Sequence, residues 1–345
     1  MADYLETMKL FSQMKKDAYK QCRPIQATFE LTPRCGLDCK MCYVHLHPEE
    51  IPRCGRGREL TAAEWIEMGR QAQEAGVFSL CVTGGDPLLH PEFETIWKEL
   101  SGMGFWITLQ TNAYSITEKM EELFYEYPPQ EAKITLYGSN DEVYRNVCRV
   151  ENGFTKVNEG IQKLRNLKIP IQVVTTFVKQ NIEDRDNIFR YAVTNRYRWY
   201  YSTSCYPSLR GASTNAKECA LSVYDLGCSE ETSREWNEKP VMKKDKKPCE
   251  YCSIYRTGYN ITWDGYMRFC LFLDEPKIDV LENSFEENWK RLQEYSESIR
   301  WPAECYECPV QDKCRRCIAS LACNSGKIIK INEELCARNI KLIIR

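Results

Sequence analysis

QATFELTPRCGLDCKMCY, residues 26–43, begins as a short β-rich run and continues into Cys35, Cys39 and Cys42, spaced C-x3-C-x2-C. A strand that exits into thiols delivers them to its carboxyl end, where α/β proteins build their sites. From this stretch to about residue 205 the pattern alternates between β-rich runs and amphipathic segments, the rhythm of parallel strands with right-handed crossovers. Strands are predicted at 26–31, 78–83, 105–110, 133–137, 171–178 and 197–203. The clearest intervening helix starts after Thr61, whose hydroxyl can cap it while Glu64 completes a capping box. Further helices are predicted over 116–127, 154–167 and 183–195. Six βα units are too few to close an eight-stranded barrel, so the α/β fold is a partial barrel or a doubly wound sheet.

The chain has 345 residues, 43% hydrophobic and 28% charged, enough for two domains with apolar cores. Lys and Arg total 47 against 49 Asp and Glu, so no basic excess points to nucleic acid or an anionic membrane. Neither a signal-peptide core nor an apolar run of membrane-spanning length occurs, and the expected location is cytoplasmic. Nineteen cysteines beside three histidines indicate thiolate-held metal, zinc or iron-sulfur, in a reducing compartment. The βα rhythm stops after 205. Residues 1–25 read as an N-terminal extension, 206–248 as a polar bridge and 249–345 as a cysteine-rich domain. Nine cysteines lie between 249 and 336 with no long periodic helix or alternating strand series, so metal should supply much of the folding free energy there.

Three thiolates in the loop after strand one can hold one face of an iron-sulfur cubane and leave an iron open, or hold zinc together with His45 or His47. Strand two ends in Thr83-Gly84-Gly85-Asp86-Pro87. Two glycines there permit close backbone approach and Asp86 offers a carboxylate, although the same residues also make ordinary turns.

In this order, the cysteine loop and the Gly-Gly-Asp strand end resemble the radical S-adenosylmethionine (SAM) superfamily over residues 26–205. The resemblance implies a partial (β/α)6 TIM-like barrel in which Cys35, Cys39 and Cys42 ligate a 4Fe-4S cluster that binds SAM. Gly84, Gly85 and Asp86 would hold the methionine ammonium. Met41 stands where the family has an aromatic residue and Asp86 where it has glutamate. Met41 and Tyr43 are candidate adenine contacts; Gln110, Thr111, Asn112 and Thr135, at strand ends, are candidates for other SAM contacts or for plain strand-end hydrogen bonding.

Cys252, then Gly265 and Cys270, then Cys305, Cys308, Cys314, Cys317 and Cys336 resemble the SPASM extension of peptide-modifying radical SAM enzymes. The interval from Cys314 to Cys317 is one residue short of that pattern and Cys323 is surplus. The resemblance implies two auxiliary 4Fe-4S clusters, on Cys249, Cys252, Cys270 and Cys317 and on Cys305, Cys308, Cys314 and Cys336, with Cys323 an alternative to Cys317. A pair of structural zinc sites is the other reading of these cysteines. Cys22, Cys54, Cys81, Cys148, Cys205, Cys219 and Cys228 show no ligand spacing and read as core or surface residues, with Cys205 or Cys228 a candidate to face the site.

Three clusters and SAM imply a low-potential electron donor of flavodoxin or ferredoxin type. The SPASM resemblance favours a maturase of a ribosomally made peptide, installing a thioether or carbon-carbon cross-link. A carbohydrate- or tetrapyrrole-modifying enzyme is the alternative. Anaerobic sulfatase maturation ranks lower, because that group has an aspartate where this chain has Leu271. The non-enzyme alternative is an electron carrier or zinc-stabilised binding module.

Overall fold

The computed structural model describes residues 2–221 and 245–311, together with 314, 317, 319 and 336. Six parallel strands follow one another in chain order: β1 (Gln26–Glu30), β2 (Ser79–Thr83), β3 (Trp106–Thr111), β4 (Glu131–Thr135), β5 (Ile171–Thr176) and β6 (Arg198–Ser202). The expected partial barrel is present. Its sheet continues past β1 into β7 (Gly258–Ile261), β8 (Tyr266–Arg268) and β9 (Ile278–Asp279), in the order β6-β5-β4-β3-β2-β1-β7-β8-β9. β7 pairs with β1 in parallel and β8 and β9 return antiparallel.

The register puts Thr28 beside Cys81, Cys81 beside Thr108 and Glu30 beside Thr83, so one face of the sheet is polar. The alternate residues Ala27, Phe29, Leu80, Val82, Ile107 and Leu109 are buried against the helices, where Phe29 meets Trp65 at 5.2 Å. This alternation separates an outer apolar layer from an inner face free for chemistry. β4 begins two residues before its predicted start because Glu131, an unfavourable strand former, is buried in an ion pair with Arg198 of β6.

Helix α1 (Ala2–Gln21) precedes β1 and packs Phe11 on Phe78 at 5.6 Å. α2 (Ala62–Glu74) has the expected capping box, with Thr61 and Glu64 bonding each other's backbone amides. α3 (Phe93–Gly102) and α5 (Asp141–Cys148) were not resolved by periodicity; α4 (Glu118–Glu126), α6 (Gly153–Asn166) and α7 (Arg185–Thr194) lie within two residues of their predicted bounds. α8 (Ala216–Cys219) is a single turn. The expectation that 249–336 lacks a long helix is corrected by α9 (Phe285–Ser298). Ser284 caps it through the Glu287 amide, and Phe285, Trp289, Leu292 and Tyr295 form its apolar stripe. Among the described residues no helix is long and apolar enough to cross a membrane.

Candidate active site

The loop after β1 is folded by contacts to the end of α5. The amide of Asp38 donates to the Cys148 carbonyl at 3.0 Å and that of Lys40 to the Val147 carbonyl at 3.0 Å. Cys39 is thereby fixed between two clamped residues, and its Sγ lies 3.4 Å from Cys148 Sγ. Cys35 Sγ accepts from the Leu37 amide at 3.4 Å and from Asn112 Nδ2 at 3.3 Å; Cys42 Sγ accepts from the His45 amide at 3.3 Å.

These three cysteines line one cavity of about 360 Å3. Met41, Tyr43, Gly84, Gly85, Gln110, Thr111, Asn112 and Thr135 line it as well, so strand ends and cysteine loop meet where the sequence placed them. Burial raises the Cys35 thiol well above the ordinary range, with the Asp86 charge and then the neighbouring thiols adding, and it pushes Cys42 up to about 12, with Cys39 adding. Cys39 is raised well up by its hydrogen bond to Cys148 and by burial. Three buried thiols that resist ionisation suit a positive metal centre, which deprotonates the thiols it binds. No three Cys, His, Asp or Glu side chains among the described residues come close enough for a single metal ion. Thiolates held at separate irons of a cluster would stand further apart than the ligands of one ion. His45 Nδ1 faces Asp38 Oδ1 at 3.8 Å, and its ring packs on His47.

Asp86 stands just behind the lining, fully buried. Its Oδ1 accepts from Thr111 Oγ1 at 2.8 Å and from the Leu88 amide at 3.3 Å, while Oδ2 is buried without a hydrogen-bond partner. Burial pushes its carboxyl up to about 6 against those two donors. An orphaned carboxylate oxygen next to a cavity fits a cationic group such as the SAM ammonium. The glycines before it serve a purpose that sequence reasoning missed. A Cβ on Gly84 would stand 2.6 Å from the Thr32 carbonyl oxygen, and one on Gly85 2.5 Å from that of Arg34. The close approach they permit is therefore that of the β1 exit, to which Gly85 and Asp86 are bonded through their amides at 2.7 Å.

Tyr43 connects the cysteine loop to the C-terminal region. Its hydroxyl donates to Glu30 Oε2 at 3.0 Å, and Arg210 Nη2 donates to the same oxygen at 2.9 Å. Arg210 also reaches the Leu271 carbonyl at 3.0 Å. Burial pushes the Glu30 carboxyl up and the Arg210 guanidinium opposes it. The Tyr43 ring meets Phe272 edge-on at 4.8 Å, and Tyr206 stacks on Phe272 at 3.9 Å. Glu30 and Arg210 lie 180 residues apart and carried no spacing signal. Cys205 lines the cavity, as one of the two candidate cysteines; Cys228 lies outside the described residues, as does Cys323.

Cys249 and Cys252 flank a tight turn, with the Cys252 amide bonded to the Cys249 carbonyl at 2.9 Å. Cys270 follows β8, two residues before Phe272. Burial pushes Cys252 up to about 11, and the charge of Cys317 adds to it. Cys270 is raised by burial and then by Cys317 and Cys252, Cys249 by burial and then by Cys252. The four cysteines of the first predicted auxiliary set thus share one neighbourhood. Cys305, Cys308 and Cys314 follow one another on successive turns, and Cys305 and Cys314 pack against Trp301. Cys336 is partly buried.

Residues 29–192 match the family model described as the Radical SAM superfamily. PqqA peptide cyclase of Bradyrhizobium diazoefficiens is 27% identical over 171 residues, 49% of this chain and 43% of that protein. The match therefore spans less than half of that relative. AdoMet-dependent heme synthase of Oleidesulfovibrio alaskensis is 24% identical, over 93% of this chain and 88% of its own length. Among solved structures, Streptococcus suis SuiB bound to precursor peptide SuiA superposes with a TM-score of 0.66 at 16% identity, covering 94% of this chain and 80% of SuiB. The enzyme anSMEcpe with bound AdoMet gives 0.66 at 14% identity, covering 92% of this chain and 96% of its own. Such identities carry the fold alone, but they carry it through both the partial barrel and the C-terminal region. With the family match running from β1 through the cysteine loop to α7, residues 29–192 of this chain form a Radical SAM superfamily domain, the domain of a radical SAM enzyme.

Proposed function

We propose that this enzyme modifies a peptide, removing a hydrogen atom from one residue and closing a thioether or carbon-carbon cross-link in a ribosomally made precursor. The observation that carries the reading is the cavity wall beyond the cysteines. Tyr200, Ser202, Ser204, Cys205, Tyr206 and Phe272 line it, and no Lys, Arg or His is among the described lining residues. A carboxylate-rich tetrapyrrole brings charges that need cationic partners on desolvation. Peptide amides and side chains are served by hydroxyls and aromatic faces. The precursor-peptide complex of SuiB, on the same fold, supports this reading. The tetrapyrrole alternative is kept for one observation, the breadth of the match to the heme synthase.

In this reading Cys35, Cys39 and Cys42 hold a 4Fe-4S cluster. Asp86, with Gly84 and Gly85, receives the SAM ammonium, and Met41, Tyr43, Gln110, Thr111, Asn112 and Thr135 border the rest of the molecule. With SAM bound there and a flavodoxin- or ferredoxin-type electron donor, the site would have the chemistry to abstract a hydrogen atom from the peptide. The chain's own residues orient the cofactor, hold the Cys35 sulfur through Asn112 and enclose the cavity with aromatic rings against water. Auxiliary clusters on the two C-terminal cysteine sets would accept the electron released as the new bond closes, while the second hydrogen leaves as a proton to solvent.

The test is anaerobic incubation with SAM and dithionite, offering in turn short Cys-containing peptides encoded beside the enzyme and a carboxylated tetrapyrrole. A peptide product lighter by two hydrogens, with deoxyadenosine formed alongside, is expected. Unchanged peptides beside a consumed tetrapyrrole would replace this reading with the alternative.

A further inference from the structure

Cys148, the last residue of α5, lies behind Cys39 and outside the cavity lining. Its sulfur is 3.4 Å from that of Cys39, with both residues buried and 109 positions apart in the chain. The approach is enforced by backbone, because the amides on either side of Cys39 are bonded to the Val147 and Cys148 carbonyls. Arg149 then turns into the left-handed region, at φ 55°, and bonds Asp38 Oδ2 at 3.1 Å, tightening the same clamp.

We propose that Cys148 tunes the SAM-binding cluster by donating its S–H to the Cys39 sulfur. In the free thiols either sulfur can donate. Once Cys39 binds iron as a thiolate it has no proton left, and the hydrogen in the contact comes from Cys148. Hydrogen bonds to cluster sulfurs favour the more negative, reduced state and so raise the potential. Cys148 is therefore a positioning residue acting through Cys39, and the inference rests on the reading of Cys39 as a ligand.

Redox titration of the reconstituted holoenzyme, followed by EPR on the signal that changes when SAM is added, isolates this cluster from any other. Cys148→Ala is expected to move the midpoint to a more negative potential at unchanged iron content, and Cys148→Ser, which keeps a donor, to recover part of the shift. An unchanged midpoint overturns the proposal. So does a serine variant as negative as the alanine one, which would assign the shift to lost volume, and so does loss of iron in Cys148→Ala, which would make Cys148 a ligand. Cys39→Ala separates the underlying reading: if it keeps the SAM-responsive signal, the ligand assignment itself fails.

Discussion

Asp86 illustrates what a single residue position reveals before and after folding. The sequence offered a carboxylate at a strand end, with a turn as the competing explanation. The structure makes it a fully buried group with one oxygen satisfied and one orphaned. Charge-assisted hydrogen bonds are worth about 1.5 to 3 kcal/mol, so Asp86→Ala should weaken SAM binding by roughly one to two orders of magnitude at 1.4 kcal/mol per decade, read by anaerobic isothermal titration. Because its carboxyl ionises at about 6, SAM affinity should fall as the pH drops through that value, and Asp86→Ala should abolish the dependence. Folding stability without SAM should carry the opposite sign. Between the ordinary 3.8 and about 6 the folded state binds the extra proton, so stability falls as pH rises across that window. Denaturant melts of Asp86→Asn should lack that fall. Cys148 was illegible for a different reason: its neighbour in space is set by helix packing, and cysteine spacing along the chain records only local loops.

Elements were legible where caps or clean periodicity marked them. Thr61 and Glu64 announced α2, and Thr61→Ala should cost about 1 kcal/mol in equilibrium unfolding. Strands β1 to β5 were visible because about half of each is buried, and β6, which has no buried residue, because its aromatic run favours a strand. β7 is buried at all four positions, and β8 and β9 have three and two residues, too few for an alternation to register. The join between β1 and this C-terminal ribbon is reinforced by Arg210, held between Glu30 of β1 and the Leu271 carbonyl beyond β8. Arg210→Ala leaves a buried carboxylate without its partner, a change that costs about 3–5 kcal/mol. The double variant Arg210→Met with Glu30→Gln should unfold closer to wild type than Arg210→Ala does, since no uncompensated charge remains.

For the whole molecule, the sequence foretold a partial barrel followed by a cysteine-rich region, and the cysteine count foretold metal. It did not foretell that the two regions share one sheet. On the proposed ligand sets, anaerobic reconstitution should load about 12 iron per chain, and the triple variant Cys35→Ala, Cys39→Ala, Cys42→Ala about 8, with no SAM cleavage, since the auxiliary thiols lie elsewhere. Iron assay and deoxyadenosine chromatography check both numbers.

Residues 26–29 pair with residues 258–261. On the ribosome, the first strand must therefore keep one edge unpaired until more than two hundred further residues have emerged, and a naked strand edge templates association between chains. A fragment ending at residue 221 should self-associate in light scattering where the full chain does not; a monomeric fragment would mean that α1 already protects the edge. The C-terminal region acts as a guard for the nascent barrel, and if its cysteines take iron, the guard is only as sound as the metal supply. Iron starvation would then be felt first as aggregated product and only later as lost catalysis.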